Sequence, residues 1–152
     1  PESVVTGFNG TRVVVVASSW HTKIMDGLIA GACRIIEDSG ITPEIHRVPG
    51  TFEIPIAAKA AALSGADVVV ALGVVIRGGT PHFDYVCSAA TDGLTRVALE
   101  TGVPMGFGVL TCDDEAQAID RAGLPGSVED KGAEAASAAM NTWTVLRAIH
   151  GD

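Results

Sequence analysis

Between Asp67 and Ile76 the chain reads DVVVALGVVI, an apolar run with no polar residue after its first position. A strand made from it has no face fit to meet water, so both faces must be covered by other elements. That is the condition of a strand inside a parallel sheet with helices on either side. Thr11–Ser18 (TRVVVVAS) is a second stretch of the same kind. Both runs are far below the ~20 apolar residues that a membrane span requires.

Helical periods separate these strands. A helix is expected from about His21 to Asp38, where Ile24, Leu28, Ala32 and Ile35 recur at three- and four-residue steps, with Gly40 ending it. A second, alanine-rich helix spans Glu53–Leu63, and a third runs from the turn Gly78-Gly79-Thr80-Pro81 to about Glu100, stopped by Gly102. Thr80 suits the cap of that helix and Pro81 its first position. Asp113 or Asp114 caps a short helix reaching Arg121, and Ser127 with Asp130 has capping-box spacing for the last helix. The inner stripe of that helix is Ala136, Met140, Trp143 and Leu146. The strands fall near 12–18, 44–49, 67–76 and 104–111.

Four alternations of strand and helix, joined by right-handed crossovers, predict an α/β fold. It is a flavodoxin-like three-layer αβα sandwich around a four-stranded parallel sheet. One domain is expected over 11–152. Residues 1–10 stand outside it as an arm or extra strand, in which Val4, Val5 and Phe8 could pair with another subunit.

Composition narrows the function. The formal net charge is −8, from 18 acidic and 10 basic residues, so a surface that repels phosphate backbones makes nucleic-acid binding an unsuitable role. The few basic residues beside glycine-rich turns then matter for holding an anion. Cys33, Cys87 and Cys112 form no CxxC pair, which predicts reduced, buried thiols in a cytoplasmic protein and neither a zinc site nor a disulfide framework. No secretory leader opens the chain, and Pro1 at its start suggests residues removed ahead of it.

In folds of this class ligands collect at the carboxyl ends of the strands. Those ends carry Ser18-Ser19-Trp20-His21, Pro49-Gly50-Thr51-Phe52-Glu53, Ile76-Arg77-Gly78-Gly79-Thr80 and Thr111-Cys112-Asp113-Asp114. Gly78-Gly79-Thr80 enters a helix, where free N–H groups and the dipole attract phosphate, although an ordinary tight turn has the same pattern. It is neither a Walker loop nor GxGxxG. His82 follows in the first helical turn, where the dipole opposes imidazolium and a bound phosphate favours it. That balance suits a general acid–base, and a solvated or capping histidine fits equally. Glu53 reads as a helix cap or as an acceptor for a polyhydroxylated ligand, and Trp20 as packing or as a stacking face. Arg77 is read as a structural ion-pairing residue with no assigned role.

The segments Ser18-Ser19-Trp20, Gly50-Thr51-Phe52-Glu53-Ile54-Pro55, GVVIRGGTPHFDYV from Gly73 to Val86, Arg121-Ala122-Gly123 and Glu129-Asp130-Lys131-Gly132 resemble lumazine synthases. They occur in that family's order over nearly the whole chain, from about Thr11 to Ile149. The resemblance implies condensation of a ribitylaminouracil with a butanone phosphate and no cofactor or metal. Trp20 then stacks on the pyrimidine, Thr51, Phe52 and Glu53 hold the ribityl chain, and Val74, Val75 and Ile76 line the pyrimidine pocket. Gly79 and Thr80 bind phosphate and His82 transfers protons. Phe107, Arg121 and Lys131 come from a neighbouring subunit, the arginine to the phosphate and the lysine to the pyrimidine. The implied assembly is a homopentamer with active sites at its interfaces, functionally linked to riboflavin synthase. The connection between Arg121 and Lys131 is about two residues longer than in relatives that build icosahedral shells, which implies free pentamers. A flavin- or lumazine-binding module and an inactive scaffold of the same family are the alternatives. The first has no need of His82 with Arg121, and retention of every matching residue argues against the second.

Overall fold

The computed structural model describes residues 7–152. Its elements are β1 (Val13–Ser18), α1 (Thr22–Asp38), β2 (Glu44–Val48), a 3-10 turn (Thr51–Glu53), α2 (Ile54–Leu63), β3 (Val68–Ile76), α3 (His82–Thr101), β4 (Met105–Cys112), α4 (Glu115–Asp120) and α5 (Lys131–His150). The four strands form one sheet in the order β2-β1-β3-β4, and all three pairings are parallel.

The apolar runs divide between two cores by strand alternation. Val13, Val15, Ala17, Val68, Val70 and Leu72 face α1 and α5, meeting Met25, Leu28, Ile36 and Met140. Val14, Val16, Val69, Ala71 and Val75 face α2 and α3, meeting Ile54, Ala58, Phe83 and Leu94. Fully burying side chains of this size contributes roughly 1.5–3 kcal/mol each, so the two central strands anchor both layers at once. The αβα sandwich expected from the sequence is the one found.

Helix ends follow local chemistry. Gly40 takes φ 87° after α1, while its N–H donates to Glu37 O and Ile41 N–H to Ile36 O. This is a Schellman closure, with buried Ile41 sealing it. Asp114 caps α4 by accepting from Gln117 N at 2.9 Å.

Thr80 makes the capping bond expected of it, its Oγ accepting from His82 N at 3.4 Å, and Pro81, helical in its backbone, stands ahead of the helix that runs from His82. Two expectations change. Ser127 forms no capping box. Its hydroxyl donates to Ile119 O and accepts from Leu124 N at 2.9 Å, while Asp130 alone caps α5 through Ala133 N. The turn at Thr51–Glu53 is 3-10, so α2 begins at Ile54 rather than Glu53. Val4 and Val5, expected in an extra strand, lie outside the described residues. Phe8 is in no strand; it is buried in its own chain with its ring 4.7 Å from Trp143.

Candidate active site

The helical connections leave β1 in one direction and β3 in the other, and in such sheets the crevice opens between the carboxyl ends of those two strands. Here pairing of β3 to β1 stops at Ala17–Leu72, whereas pairing to β4 continues to Ile76–Cys112. Gly73–Ile76 therefore extends past β1 with one side uncovered. Val69 N donates to Pro104 O and Arg77 N to Cys112 O, so odd-numbered residues of β3 point their backbone groups at β4. Val74 and Ile76 point theirs at the uncovered side. Thr51 Oγ donates to Val74 O at 3.3 Å, and the remaining main-chain groups there face a cleft.

That cleft has a volume of about 650 Å³, within the usual range for small-molecule sites. Trp20, Thr51, Phe52, Glu53, Val74, Val75, Ile76 and His82, all singled out from the sequence, line it. The end of β1 is held by Ser19, which donates from Oγ to Val48 O and from N to Pro49 O, and by Arg47, which donates to Ser18 O. Trp20 projects from this fixed point with 71% of its surface exposed, a flat platform with little covering it. Phe52 is 62% exposed on the opposite turn.

The turn that carries Phe52 and Glu53 is pressed onto the sheet at Gly73. A Cβ on that glycine would lie 2.8 Å from Ile54 Cδ1 and from Thr51 Oγ. Glu53 bears out the capping reading: one oxygen accepts from Gly50 N at 2.9 Å and so closes the turn, and the residue lines the cleft.

Gly79 and Thr80 do not line this cleft. They stand on the exposed turn beside it, and Thr80 Oγ accepts from His82 N at 3.4 Å. Arg77 is fully engaged by structure: Nε donates to Asp113 at 3.0 Å, Nη1 lies 3.8 Å from Asp84, and the guanidinium sits 4.4 Å from the Phe83 ring centre. The hydrogen bond to Asp113 holds it charged, above the ordinary arginine value.

Phe107, Arg121 and Lys131 gather elsewhere, in a groove of about 250 Å³ along β4. β4 is an edge strand, and Phe107 is 48% exposed on it. Lys131 N donates to Arg121 O at 2.9 Å and Ala122 bridges Asp130 antiparallel, so a closed loop sets the two cations side by side. The chain thus carries two separate sets of candidate residues.

Sequence reasoning missed His21, Tyr85 and Val86, which also line the cleft. His21 adopts φ 60° and ψ 62°, the left-handed region that non-glycine residues rarely occupy. Its place next to Trp20 at a strand end was the available signal. Tyr85 lies one helical turn after His82, on the same face, and is 74% exposed.

Among the described residues no helix is long and apolar enough to cross a membrane. Residues 10–147 match the family described as 6,7-dimethyl-8-ribityllumazine synthase. Proteins carrying that name include one from Leifsonia xyli subsp. xyli, 68% identical over 93% of this chain and 90% of the relative. Another, from Kineococcus radiotolerans, is 64% identical over 98% of this chain and 92% of its own length. A third, from Streptomyces coelicolor, is 59% identical over 98% and 93%.

Proposed function

The chain belongs to the 6,7-dimethyl-8-ribityllumazine synthase family, and from that membership we propose the reaction it performs and the residues that perform it. It condenses 5-amino-6-(D-ribitylamino)uracil with 3,4-dihydroxy-2-butanone 4-phosphate, the penultimate step of riboflavin biosynthesis. The observation that carries the assignment of residues is the grouping of Trp20, Thr51–Glu53, Val74–Ile76 and His82 around one cleft at the switch point of the sheet.

Trp20 stacks on the pyrimidine, and the open main-chain groups of Val74 and Ile76 hydrogen-bond its edge. Glu53 accepts from the ribityl hydroxyls with the oxygen that Gly50 does not use. The 5-amino group attacks the ketone of the sugar phosphate and water leaves, giving an imine. His82, on the first turn of α3, removes a proton; the electron pair expels inorganic phosphate, and the enol left behind tautomerises to a ketone. The ribitylamino nitrogen then attacks that carbonyl, a second water leaves, and the ring is closed. Every step moves a proton, a water or the phosphate, and none moves a hydride, so positioning the two reactants supplies much of the acceleration. Gly79 and Thr80 hold the phosphate as it departs, with Arg121 neutralising its charge.

Arg121, Phe107 and Lys131 serve the cleft of a neighbouring copy. Their grouping on the edge strand, apart from their own chain's cleft, supports this reading, and heterologous contacts of that kind close into rings. Exposed Ile56, Leu63, Tyr85, Leu99, Val145 and Ile149 supply apolar surface for such contacts. The ring has five members and remains a free pentamer, and the enzyme works in the cytoplasm, its product passing to riboflavin synthase. Mixing the purified protein with both substrates should generate lumazine fluorescence. A protein that binds lumazine without forming it would reverse the assignment, and light scattering that reports a sixty-subunit shell would reject the free pentamer.

A further inference from the structure

We propose that Glu129 is the resident counter-ion of Arg121, shared with Lys131, and that it weakens the hold of Arg121 on phosphate so that the expelled ion leaves. This rests on the reading that Arg121 meets the phosphate of a neighbouring site. One oxygen of Glu129 lies 3.1 Å from Lys131 Nζ and the other 3.6 Å from Arg121 Nε. Lys131 has a second carboxylate, Glu134, at 3.5 Å. The cations therefore come as a set of four charges that sums to zero. Without that counter-charge Arg121 would hold a phosphate dianion somewhat more strongly.

The loop that closes between Arg121 and Lys131 fixes Glu129 in this position. Its N–H donates to Asp120 O at 3.0 Å and its carbonyl accepts from Gly123 N at 3.0 Å. Glu129 lines a separate groove with Gly123 and Asp130, and not the groove of Phe107, Arg121 and Lys131. Arg121 does not need Glu129 for its orientation. Nη1 donates to Gln117 O at 2.9 Å, and among the described residues Nη2 has no hydrogen-bond partner and is open to an anion. The 3.6 Å contact exceeds hydrogen-bonding distance, which makes Glu129 a damper of charge and not a clamp. Lys131 is held above its ordinary value, first by its hydrogen bond to Glu129, in keeping with that pairing.

A phosphate held equally tightly before and after reaction gains nothing in turnover and slows release. A partly exposed counter-ion suits the task because its effect is small: pairs of this kind shift affinity about two- to fivefold. The measurement is the inhibition constant of inorganic phosphate against the sugar phosphate, on the intact assembly. Glu129→Gln, which keeps shape and removes charge, should lower that constant about two- to fivefold, and lower KM for the sugar phosphate with it. Glu129→Asp should stay near wild type, and Glu134→Gln, whose partner is Lys131 alone, should shift it less than Glu129→Gln. Equal change in the Asp and Gln variants would mark a structural role and overturn the proposal, as would an unchanged or raised constant in Glu129→Gln. Arg121→Ala separates this from the reading beneath it. If Arg121→Ala weakens phosphate inhibition while Glu129→Gln does nothing, only the counter-ion falls. If Arg121→Ala leaves phosphate inhibition unchanged, the neighbouring-site role of Arg121 falls too.

Discussion

Replacing Gly73 with alanine tests whether the close approach of the Thr51–Glu53 turn to β3 builds the cleft. The new methyl would stand 2.8 Å from Ile54 Cδ1 and Thr51 Oγ, which is about 0.7–1.2 Å short of the 3.5–4.0 Å of ordinary contact. Ser18 Oγ, at 3.5 Å, is already in contact. Ile54 and Thr51 are themselves buried, so the turn must lift as a unit, carrying Phe52 and Glu53 with it. Overpacking of this kind costs about 1–3 kcal/mol. For a domain of this size it lowers Tm by roughly 2–4 °C per kcal/mol. Differential scanning calorimetry should therefore record a fall of about 2–12 °C, alongside a raised KM for the pyrimidine. Ile54→Val removes one of the two clashing atoms and by itself costs about 0.5–1.5 kcal/mol. In the double variant the losses should sum to less than the two singles, because alanine then occupies the vacated space. Strict additivity, or a Gly73→Ala protein with unaltered melting and KM, would refute the packing argument.

His82→Ala should slow lumazine formation about 10²–10⁴-fold without abolishing it, since positioning survives; unchanged turnover would remove His82 from the mechanism. Unfolding His82→Ala and Arg121→Ala chains together and refolding them at equal ratio should restore roughly a quarter of wild-type activity. Random filling of a ring pairs an intact His82 with an intact neighbouring Arg121 at about one interface in four, whereas activity fixed at the average of the mutants would mean that both act within one chain. Hydrogen bonds from Arg12 and then His46 hold the Glu44 carboxyl at about 2 instead of 4.5. Its stabilising contribution is complete above pH 4.5 and is lost as pH falls toward 2. In acid titrations followed by circular dichroism, Glu44→Gln should lose stability less steeply across that window than wild type, and an identical slope would contradict the linkage.

The strand positions were legible because the apolar runs end where the strands end. β3 was expected over 67–76 and spans Val68–Ile76, and β4 was expected over 104–111 and spans Met105–Cys112. In β3, burial on both faces leaves no polar residue to blur that boundary. Turn chemistry was less legible because the deciding partners lie outside the local spacing. Ser127 has the spacing of a cap, yet its hydroxyl is taken by Ile119 O near the end of α4. His21 and Tyr85 escaped notice for a different reason. Neither residue type by itself implies ligand contact, although His21 follows Trp20 directly and Tyr85 lies one turn after His82, and both line the cleft. The separation of Arg121 from His82 was likewise beyond periodicity and came only from the family resemblance.

The overhang of β3 past β1 has a bearing on how this site tolerates change. The groups that face the cleft from Val74 and Ile76 are peptide N–H and C=O, which every residue except proline possesses in the same form. Drift among apolar side chains at these positions alters packing against the helices while leaving the pattern of donors and acceptors intact. Recognition written in the main chain is thereby shielded from most single-residue substitutions. What can erase it is a change in where the neighbouring strand stops. Continued pairing of β1 beside Gly73–Ile76 would consume the open groups and close the notch.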